Sequence, residues 1–446
     1  MSSRRKFIQE FALATTASLL SPSWQVFAHE TNDWFVPLAL QNEMYTTAIN
    51  IAKKKVRGGG DDTVFKKPFL DAAFSGNIFL WDTCFIACYA KYHQDKLPIE
   101  NALDNFYNLQ DKDGFICREY TKEGKPMWSK DHPVSINPPL LAFAELELYS
   151  QSKNIQRLQK VYPSLKKFYH YLIAHYRMED KLFFSDAFGS GMDNIQRYPD
   201  GWQDDGKGIP VKNLFPEIFA YTGLSSVWNR QGRAVDLSAQ MALFADNLST
   251  IAGLINEKND IADYRQFYHE TKVAINAFCW NDTDGFYYDL GYGKQIKRKH
   301  IGMFWVLLAG IVPVEKLSMF LSHLTDPNQF WRTFPVASYP ADQPGFSAKG
   351  DYWMGSVWAP TNYMIIRGLL HNDQIKLATK LARQYYWCIA EVYKKTKTFW
   401  ENYAPDSLTQ GNQARADFCG WTAIAPVAIY HEFIQTKKNQ HFKSEI

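Results

Sequence analysis

The fold predicted for this chain is decided by the stretch SVWAPTNYMIIRGLLHNDQIKLATKLARQYYWCIAEVYK, which covers residues 356–394. Its apolar residues recur at helical spacing, and we predict helices over 356–371 and 373–394. The link Asn372-Asp373 is so short that the two helices must lie side by side and antiparallel. The stretch therefore predicts a helical hairpin.

The same helical periodicity continues through the rest of the chain. Prolines mark several predicted starts, at Pro98, Pro138-Pro139 and Pro313. The other predicted helices cover residues 37–55, 78–94, 97–110, 137–152, 157–178, 233–254, 258–279, 300–311, 313–324 and 416–435. About twelve helices in successive hairpins predict an all-α (α/α)6 barrel, a six-hairpin toroid whose inner helices surround a central pocket. A helical solenoid is the alternative, but no fixed sequence repeat accompanies the helices.

The first residues are typical of an export signal. Ser3-Arg4-Arg5-Lys6-Phe7-Ile8 precedes an apolar run over 11–20, and Val26-Phe27-Ala28 follows with small residues at the cleavage positions. This order indicates a twin-arginine signal, whose apolar run is too short to span a bilayer permanently. An amphipathic first helix is the alternative. We predict a signal peptide over 1–28, a periplasmic protein, and a single domain over 29–446.

The charge balance argues against two classes of partner. Removing Arg4, Arg5, Lys6 and Glu10 from the 49 basic and 46 acidic residues leaves 46 and 45. Such a chain lacks the basic face that nucleic acid or an anionic membrane surface requires. Aromatic residues make up 16% of the chain, and rings with one polar edge form good walls for an uncharged sugar. We predict a carbohydrate ligand, no nucleic acid, no membrane after signal removal, and a monomer or weak homo-oligomer.

The cysteines and acidic turns predict no metal and no cofactor. The turns 111–116 and 281–287 both contain Asp-x-Asp-Gly, but the twelfth positions of a calcium loop would be Lys122 and Gly293 instead of glutamate. The six cysteines lack disulfide-scaffold or zinc spacing, and most have apolar neighbours, so we predict buried free thiols. They are Cys84, Cys88, Cys117, Cys279, Cys388 and Cys419.

Two carboxylates stand in settings that indicate chemistry. Asp193 lies in Ser190-Gly191-Met192-Asp193-Asn194-Ile195-Gln196-Arg197-Tyr198, between small residues and an amide. Glu401 lies in Phe399-Trp400-Glu401-Asn402-Tyr403-Ala404-Pro405-Asp406, among aromatic residues. Two acids that are walled by rings and meet across a fold are what hydrolysis of a glycosidic bond requires. Asp193 alone would more often be a cap or loop carboxylate, so the prediction depends on the two acids facing each other over one pocket.

Several aromatic and polar residues are predicted to bind a sugar. Trp81-Asp82 begins a predicted helix, where the ring can act as a platform and the carboxylate can accept hydrogen bonds from adjacent hydroxyls. Asn137 is fixed by the two prolines after it, and both it and Asp82 have a helix cap as the alternative. Residues 350–363 are the densest aromatic segment. The predicted substrate-binding residues are Trp81, Asp82, Asn137, Asn194, Arg197, Trp353, Trp358, Tyr403 and Trp421.

Other catalytic motifs fit poorly. Residues 201–208 nearly spell a phosphate-binding loop, but Gly208 replaces the final Ser or Thr, and Asp204 and Asp205 would repel phosphate. The sequence contains neither a Gly-x-Ser-x-Gly elbow nor a His-Glu-x-x-His helix. These patterns therefore do not compete with the paired carboxylates.

Five of these pieces, in this order, resemble the clan-G glycoside hydrolases: trehalases, mannosyl-oligosaccharide glucosidases and bacterial relatives such as mannosylglycerate hydrolase. They are Trp81-Asp82, Ser190-Gly191-Met192-Asp193-Asn194, the segment 353–363, Glu401-Asn402-Tyr403 and Gly420-Trp421-Thr422. The resemblance covers most of residues 75–435. It implies an (α/α)6 barrel and an inverting α-glycosidase, with Asp193 as general acid and Glu401 as general base.

The chain departs from the trehalases of this clan at three places. Ile195-Gln196-Arg197 stands where relatives often have Ser-Pro-Arg, and Met354 replaces an Arg or Asp. Ser75-Gly76-Asn77-Ile78-Phe79 stands in place of the glycine-rich approach to Trp-Asp. The resemblance to the processing glucosidases is therefore closer than the resemblance to trehalases.

The resulting hypothesis is hydrolysis of a terminal α-linked sugar, most simply glucose, with inversion and without a cofactor. Inversion needs room for a water, so the two carboxyl groups should lie roughly 6.5–9.5 Å apart. One alternative is a sugar isomerase or lyase on the same toroid. Such enzymes use histidine bases, and His132, His269, His300 and His323 are scattered along this chain. A second alternative is a catalytically silent periplasmic sugar-binding protein.

Overall fold

The computed structural model describes residues 34–59, 64–72, 75–128, 130, 135–136, 138–185, 189–197, 230–418 and 420–435. Residues Val36–Ile446 form one compact unit. Within the part of the chain that the structure describes, no helix has both the length and the apolar character needed to cross a bilayer. The predicted signal over 1–28 lies outside the described residues, so export and the domain boundary at 29 stay predictions.

The described structure is mostly helical. The described α-helices, labelled α1 to α11 in chain order, are Leu38–Lys54, Leu80–Ala90, Ile99–Asn108, Leu141–Ser152, Ile155–Tyr176, Val235–Ile255, Lys258–Ala274, Trp305–Leu308, Val314–Thr325, Ala359–His371 and Ile375–Thr396. A 3-10 turn, Lys91–His93, follows α2, and a second one, Ile301–Phe304, precedes α8. A π-helical turn, Ile275–Cys279, follows α7. The last helical segment, Thr422–Ile424 continued by Ala425–Ile434, is α12. Each of the predicted helices has a counterpart here.

The even-numbered helices lie inside. Helix α2 contacts α4, α4 contacts α6, α6 contacts α8 and α8 contacts α10, while α12 contacts both α10 and α2. All of the residues in α2 are buried, which is the pattern of a helix surrounded by protein. Helix α11 instead buries one stripe, including Ala378, Leu381, Tyr385 and Ile389, against its neighbours. The difference follows from sequence, since α2 is apolar except for Asp82 and Thr83, whereas α11 carries charges on its outer face.

Three predicted helix starts lie too early, and one of them is that of the helix predicted from 137, which begins at Leu141. The helix predicted from 356 begins at Ala359 because Val357 pairs with Tyr403 and Ala337 in extended bridges. The helix predicted from 416 begins at Thr422. Trp358 and Trp421, which directly precede α10 and α12, pack against each other.

The strands are two residues long and link the loops at the helix ends. They are Val56–Arg57, Phe69–Leu70, Ile78–Phe79, Glu119–Tyr120, Gly232–Arg233, Trp280–Asn281, Phe286–Tyr287, Leu290–Gly291 and Lys294–Gln295, labelled β1 to β9. Strands β6 and β7 pair antiparallel across the turn 281–287 and form a short hairpin. Strand β3 pairs with β4, Phe79 opposite Glu119, and this pairing brings Arg118 next to the start of α2.

The five described cysteines, Cys84, Cys88, Cys117, Cys279 and Cys388, are free and buried, as predicted. Burial raises the pKa of the Cys84 and Cys279 thiols well above the ordinary value. Buried, protonated thiols are inert, so these residues belong to the core. Cys419 lies outside the described residues.

Candidate functional site

The loop that carries Asp193 depends on a glycine. Gly191 has φ +79°, a left-handed conformation that favours glycine. The Met192 amide donates to Ser190 Oγ at 3.2 Å, and the Ile195 amide donates to the Met192 carbonyl at 3.0 Å. These two bonds form a tight turn with Asp193 near its apex.

Asn194 fastens this loop to a second one. Its Oδ1 accepts the Trp353 backbone amide at 2.8 Å, and its Nδ2 donates to the Asp351 carbonyl at 3.2 Å. Both ends of the amide are therefore bonded to the backbone on either side of Tyr352. In this structure Asn194 holds the two loops together.

Arg197 anchors the far end of the Asp193 loop. Its Nη2 lies 2.8 Å from Asp236 Oδ1 and 2.8 Å from Asp289 Oδ2, with no exposed side-chain surface. Burial raises the pKa of Asp289, but Arg197, His300 and the Val235 amide together outweigh that effect and lower the pKa to about 2. Arg197 therefore ties the loop to the start of α6 at Asp236 and lies behind the site surface.

Asp193 lies between a cation and a phenol. Arg118 Nη2 is 3.7 Å from its Oδ1, and the Tyr352 hydroxyl is 3.4 Å from its Oδ2. Its side chain is 18% exposed. Burial raises the pKa of Asp193 to about 6, although Arg118 and the Tyr352 hydroxyl lower it and Glu119 raises it. Both the protonated and the ionised form of the Asp193 carboxyl group are therefore accessible near neutral pH.

Glu401 is held on an extended segment. Its amide donates to the Arg415 carbonyl at 2.9 Å, and the Trp421 indole donates to the Glu401 carbonyl at 3.1 Å. Burial raises the pKa of Glu401 to about 7; Arg415 lowers it, and the charge of Asp193 raises it. The effect of Asp193 on Glu401 means that these two carboxylates, distant in sequence, lie within electrostatic range of each other.

Asp82 is the third carboxylate of this group. It is buried in the first turn of α2, and burial raises its pKa to about 8. Arg118 lowers that pKa, whereas Glu401 and Asp193 both raise it. Carboxylates that interact in this way, with pKa values raised by burial, are typical of functional sites.

Four tryptophans pack against one another beside these acids. Trp353 and Trp358 stack with ring centroids 4.1 Å apart and planes 4° from parallel. Trp81 lies 5.9 Å from Trp353 and 5.8 Å from Trp421, and Trp421 lies 5.7 Å from Trp358. Since Trp81-Asp82 and Trp421 border the carboxylates, these rings form one aromatic wall. Trp358 is fully buried and supports Trp353 from below.

Tyr403 and Asn137 complete the predicted set. Tyr403 is buried and stacks on Phe334 at 5.0 Å, and its hydroxyl oxygen accepts a hydrogen bond from the Trp400 backbone amide at 3.1 Å. It therefore supports the Glu401 segment from the core side. Asn137 lies outside the described residues.

Sequence reasoning missed Arg118, Glu119, Tyr352 and Arg415. Glu119 accepts hydrogen bonds from Asn77 at 2.7 Å and from the Trp128 indole at 3.2 Å. A signal for Arg118 and Glu119 was present, because adjacent opposite charges follow the apolar run Phe115-Ile116-Cys117 and precede Tyr120. Charged residues in such a run are buried only when they are paired.

The histidines that a sugar isomerase would use lie apart. His300 is buried and contacts Asp289 at 3.2 Å, behind Arg197. His323 contacts the Asp284 carbonyl at 2.7 Å, and His269 is exposed on α7. His132 lies outside the described residues. These three described histidines therefore do not form a pair beside the carboxylates.

A cleft of about 450 Å³ lies next to the Glu401 segment, lined by Lys349, Trp400, Ser407 and residues 409–414. Successive side chains of an extended segment point to opposite faces, so Trp400 and Glu401 face different sides. Glu401 itself is not part of this lining.

Comparison with known proteins points to glycoside hydrolases. The family described as mannosylglycerate hydrolase MGH1-like glycoside hydrolase domain matches residues 76–422. An uncharacterized protein of Borreliella burgdorferi is 26% identical over 327 residues, covering 72% of this chain and 62% of that protein. A probable mannosyl-oligosaccharide glucosidase of Schizosaccharomyces pombe is 25% identical over 401 residues, covering 78% and 48%. The chain thus spans less than two thirds of the length of these curated relatives.

Solved structures share the fold. The GH63 mannosylglycerate hydrolase of Thermus thermophilus, in complex with glucose, superposes with a TM-score of 0.67 at 18% identity, covering 87% of this chain and 100% of that one. The neutral trehalase of Saccharomyces cerevisiae gives a TM-score of 0.57 at 12% identity, covering 81% and 73%. At these identities the likeness concerns the fold, which is that of six-hairpin glycosidases.

Proposed function

The chain belongs to the family of mannosylglycerate hydrolase MGH1-like glycoside hydrolases, and we propose that it removes a terminal α-linked glucose with inversion at the anomeric carbon. The observation that carries this proposal is the group of three interacting carboxylates, Asp82, Asp193 and Glu401, beside one aromatic wall. A pair of acids next to a ring platform is the apparatus for breaking a glycosidic bond.

We further propose that the even-numbered helices close into the inner ring of an (α/α)6 barrel. Their contacts run from α2 through α4, α6, α8 and α10 to α12, which returns to α2. In this arrangement the loops at one end of the ring carry Asp82, Asp193 and Glu401. The binding pocket then lies at that mouth.

In the proposed reaction Asp193 gives its proton to the glycosidic oxygen as the bond to the anomeric carbon breaks. Glu401 removes a proton from the water that attacks the opposite face, so the product has the inverted configuration. Asp82 accepts hydrogen bonds from neighbouring hydroxyls, and Trp81, Trp353 and Trp421 contact the sugar ring. Arg118, near Asp193, stabilises the negative charge that proton transfer leaves there.

Arg197 and Asn194, which the sequence predicted to bind substrate, have a structural role in this proposal. We propose that Arg197 and Asn194 hold the Asp193 loop, because their polar atoms bond Asp236, Asp289 and the backbone of 351–353. The pKa of Glu401 in the free protein lies above that of Asp193. Since interacting acids titrate as a pair, the division of roles rests on the family and not on the order of these values.

The proposal predicts a narrow pH optimum. Activity requires Glu401 ionised and Asp193 protonated, and burial raises their pKa values to about 7 and about 6. The rate should rise as the base ionises and fall as the acid loses its proton, giving a bell whose two apparent pKa values belong to the pair. We expect the maximum of kcat/KM between about pH 6 and 7. A rate that still rises at pH 9 would contradict this pairing.

A substrate panel tests the activity itself. Trehalose, kojibiose, nigerose, glucosylglycerate and mannosylglycerate should be incubated with the protein, and free monosaccharide measured. We expect glucose from at least one α-glucoside and none from the corresponding Asp193→Asn protein. Binding of these sugars by calorimetry without release of any monosaccharide would instead support a silent binding protein.

A further inference from the structure

Tyr352 occupies an unusual backbone conformation next to Asp193. Its φ is +53°, in the left-handed region, where a residue with a bulky side chain is strained. Such residues persist only where neighbouring contacts fix them, and they concentrate at functional sites. A glycine or asparagine here would fit the turn with less strain, so the side chain of Tyr352 has a reason to be present.

The neighbours of Tyr352 hold it from three sides. Asn194 bonds the Asp351 carbonyl and the Trp353 amide, the peptide groups before and after it. The Tyr352 carbonyl accepts the Trp358 indole N–H at 3.2 Å, and the two rings meet edge to face at 5.1 Å. Since Asn194 directly follows Asp193, one amide fixes both the acid's loop and the tyrosine's loop.

These contacts direct the Tyr352 hydroxyl towards the Asp193 carboxyl group. The hydroxyl lies 3.4 Å from Asp193 Oδ2, while Oδ1, on the other side of the carboxyl group, is buried and faces Arg118 at 3.7 Å. Because Oδ1 is enclosed, Oδ2 is the oxygen of this carboxyl group, 18% exposed, that a substrate can reach. The phenol therefore lies beside the oxygen that would carry the transferable proton.

We infer that Tyr352 is a positioning residue for the general acid: its hydroxyl fixes the Asp193 carboxyl group and stabilises the carboxylate that remains after proton transfer. The inference rests on the proposed function. In the step concerned, the proton moves from Asp193 to the glycosidic oxygen and the electrons of the breaking bond go to that oxygen. The Tyr352 hydroxyl keeps its own proton and donates a hydrogen bond to the new carboxylate.

The test is Tyr352→Phe, which removes the hydroxyl and keeps the ring and the backbone conformation. The matched control is Tyr292→Phe, which removes a hydroxyl from an exposed tyrosine. We expect Tyr352→Phe to lower kcat on an α-linked disaccharide roughly tenfold, the loss typical of one hydrogen bond to a charged group. On α-glucosyl fluoride, whose leaving group needs little protonation, the loss should be within about twofold. The pH profile, whose limbs belong to the interacting pair, should move to higher pH, because the Asp193 carboxylate is less stabilised.

Equal losses on both substrates, or a pH profile that does not move, would overturn the inference, since a merely structural role predicts those results. A second readout does not depend on turnover. The carboxyl carbon of Asp193, identified by its loss in Asp193→Asn, can be titrated by ¹³C NMR in protein labelled at aspartate. Its pKa should rise in Tyr352→Phe and stay unchanged in Tyr292→Phe. If the wild-type protein hydrolyses none of the sugars, the proposed function fails, and this titration still decides whether Tyr352 stabilises the carboxylate.

Discussion

Glu401→Gln and Asp193→Asn are each expected to lower kcat by about 10²–10⁴-fold, the contribution typical of a positioned acid or base. Both replacements keep the size and shape of the side chain, and both remove a buried carboxylate whose pKa is raised by burial. The fold should therefore be retained or slightly stabilised, since a charge is removed from an unfavourable environment. Initial rates on the best substrate of the panel, together with thermal unfolding, measure both effects.

The two replacements should differ in their dependence on the leaving group. Asp193→Asn should recover most of its activity on α-glucosyl fluoride, because fluoride departs without a proton. Glu401→Gln should remain inactive on it, because the attacking water still lacks a base. Glu315→Gln, an exposed glutamate on α9, is the matched control and should act like the wild-type protein. Near-normal activity in either site variant would remove that residue from the mechanism.

Lys91→Met is expected to destabilise the protein by about 3–5 kcal/mol, the usual cost of removing one partner from a buried ion pair. Lys91 Nζ lies 2.6 Å from Glu147 and 3.0 Å from Glu432, and all three side chains are buried. Arg367 is 3.0 Å from Glu147, and the Tyr363 hydroxyl is 2.8 Å from Glu432. These residues come from the end of α2, from α4, from α10 and from α12, so the network joins four inner helices.

Removing the Lys91 cation would leave two buried carboxylates facing one arginine. Burial raises the pKa of Glu147, but Arg367 and Lys91 outweigh it and lower that pKa. The stabilisation is therefore complete at neutral pH, above the unfolded pKa, and is lost as the pH falls through the folded value.

Urea unfolding at pH 7 measures the change. Lys96→Met, at a half-exposed lysine whose nearest acid, Asp95, is 3.9 Å away, is the control and should cost less than about 1 kcal/mol. Adding Glu432→Gln to Lys91→Met restores the charge balance and should recover part of the loss. If Lys91→Met unfolds like the control, the network does not hold the inner helices together.

The helices could be predicted from sequence because each inner helix is apolar all round or strongly periodic. Asp193, Trp353 and Trp421 could be singled out because acidic and aromatic residues beside glycines are unusual in a packed core, and Trp81-Asp82 and Glu401 because an acid stands next to aromatic residues. Helix starts at 356 and 416 were wrong by several residues, since local propensity does not report that Val357 pairs with Tyr403. That pairing joins residues that are far apart in the chain.

The partners of the acids could not be read from the sequence. Arg118 contacts Asp193 only because β3 pairs with β4, and Arg197 contacts Asp236 and Asp289 from loops that meet in space. A side chain's role depends on whether its polar atoms are already bonded, and Arg197 and Asn194 are bonded within the protein. For the same reason Tyr352 had no sequence signal beyond its aromatic neighbours, although its backbone conformation identifies it in the structure.

The most direct test of the account follows the anomeric protons of the released sugar by ¹H NMR during the first minutes of hydrolysis. An acid at Asp193 and a base at Glu401 acting on opposite faces predict that β-glucose accumulates first and then mutarotates to the equilibrium mixture. α-Glucose as the first product would contradict inversion, and with it the assignment of a water-activating base to Glu401.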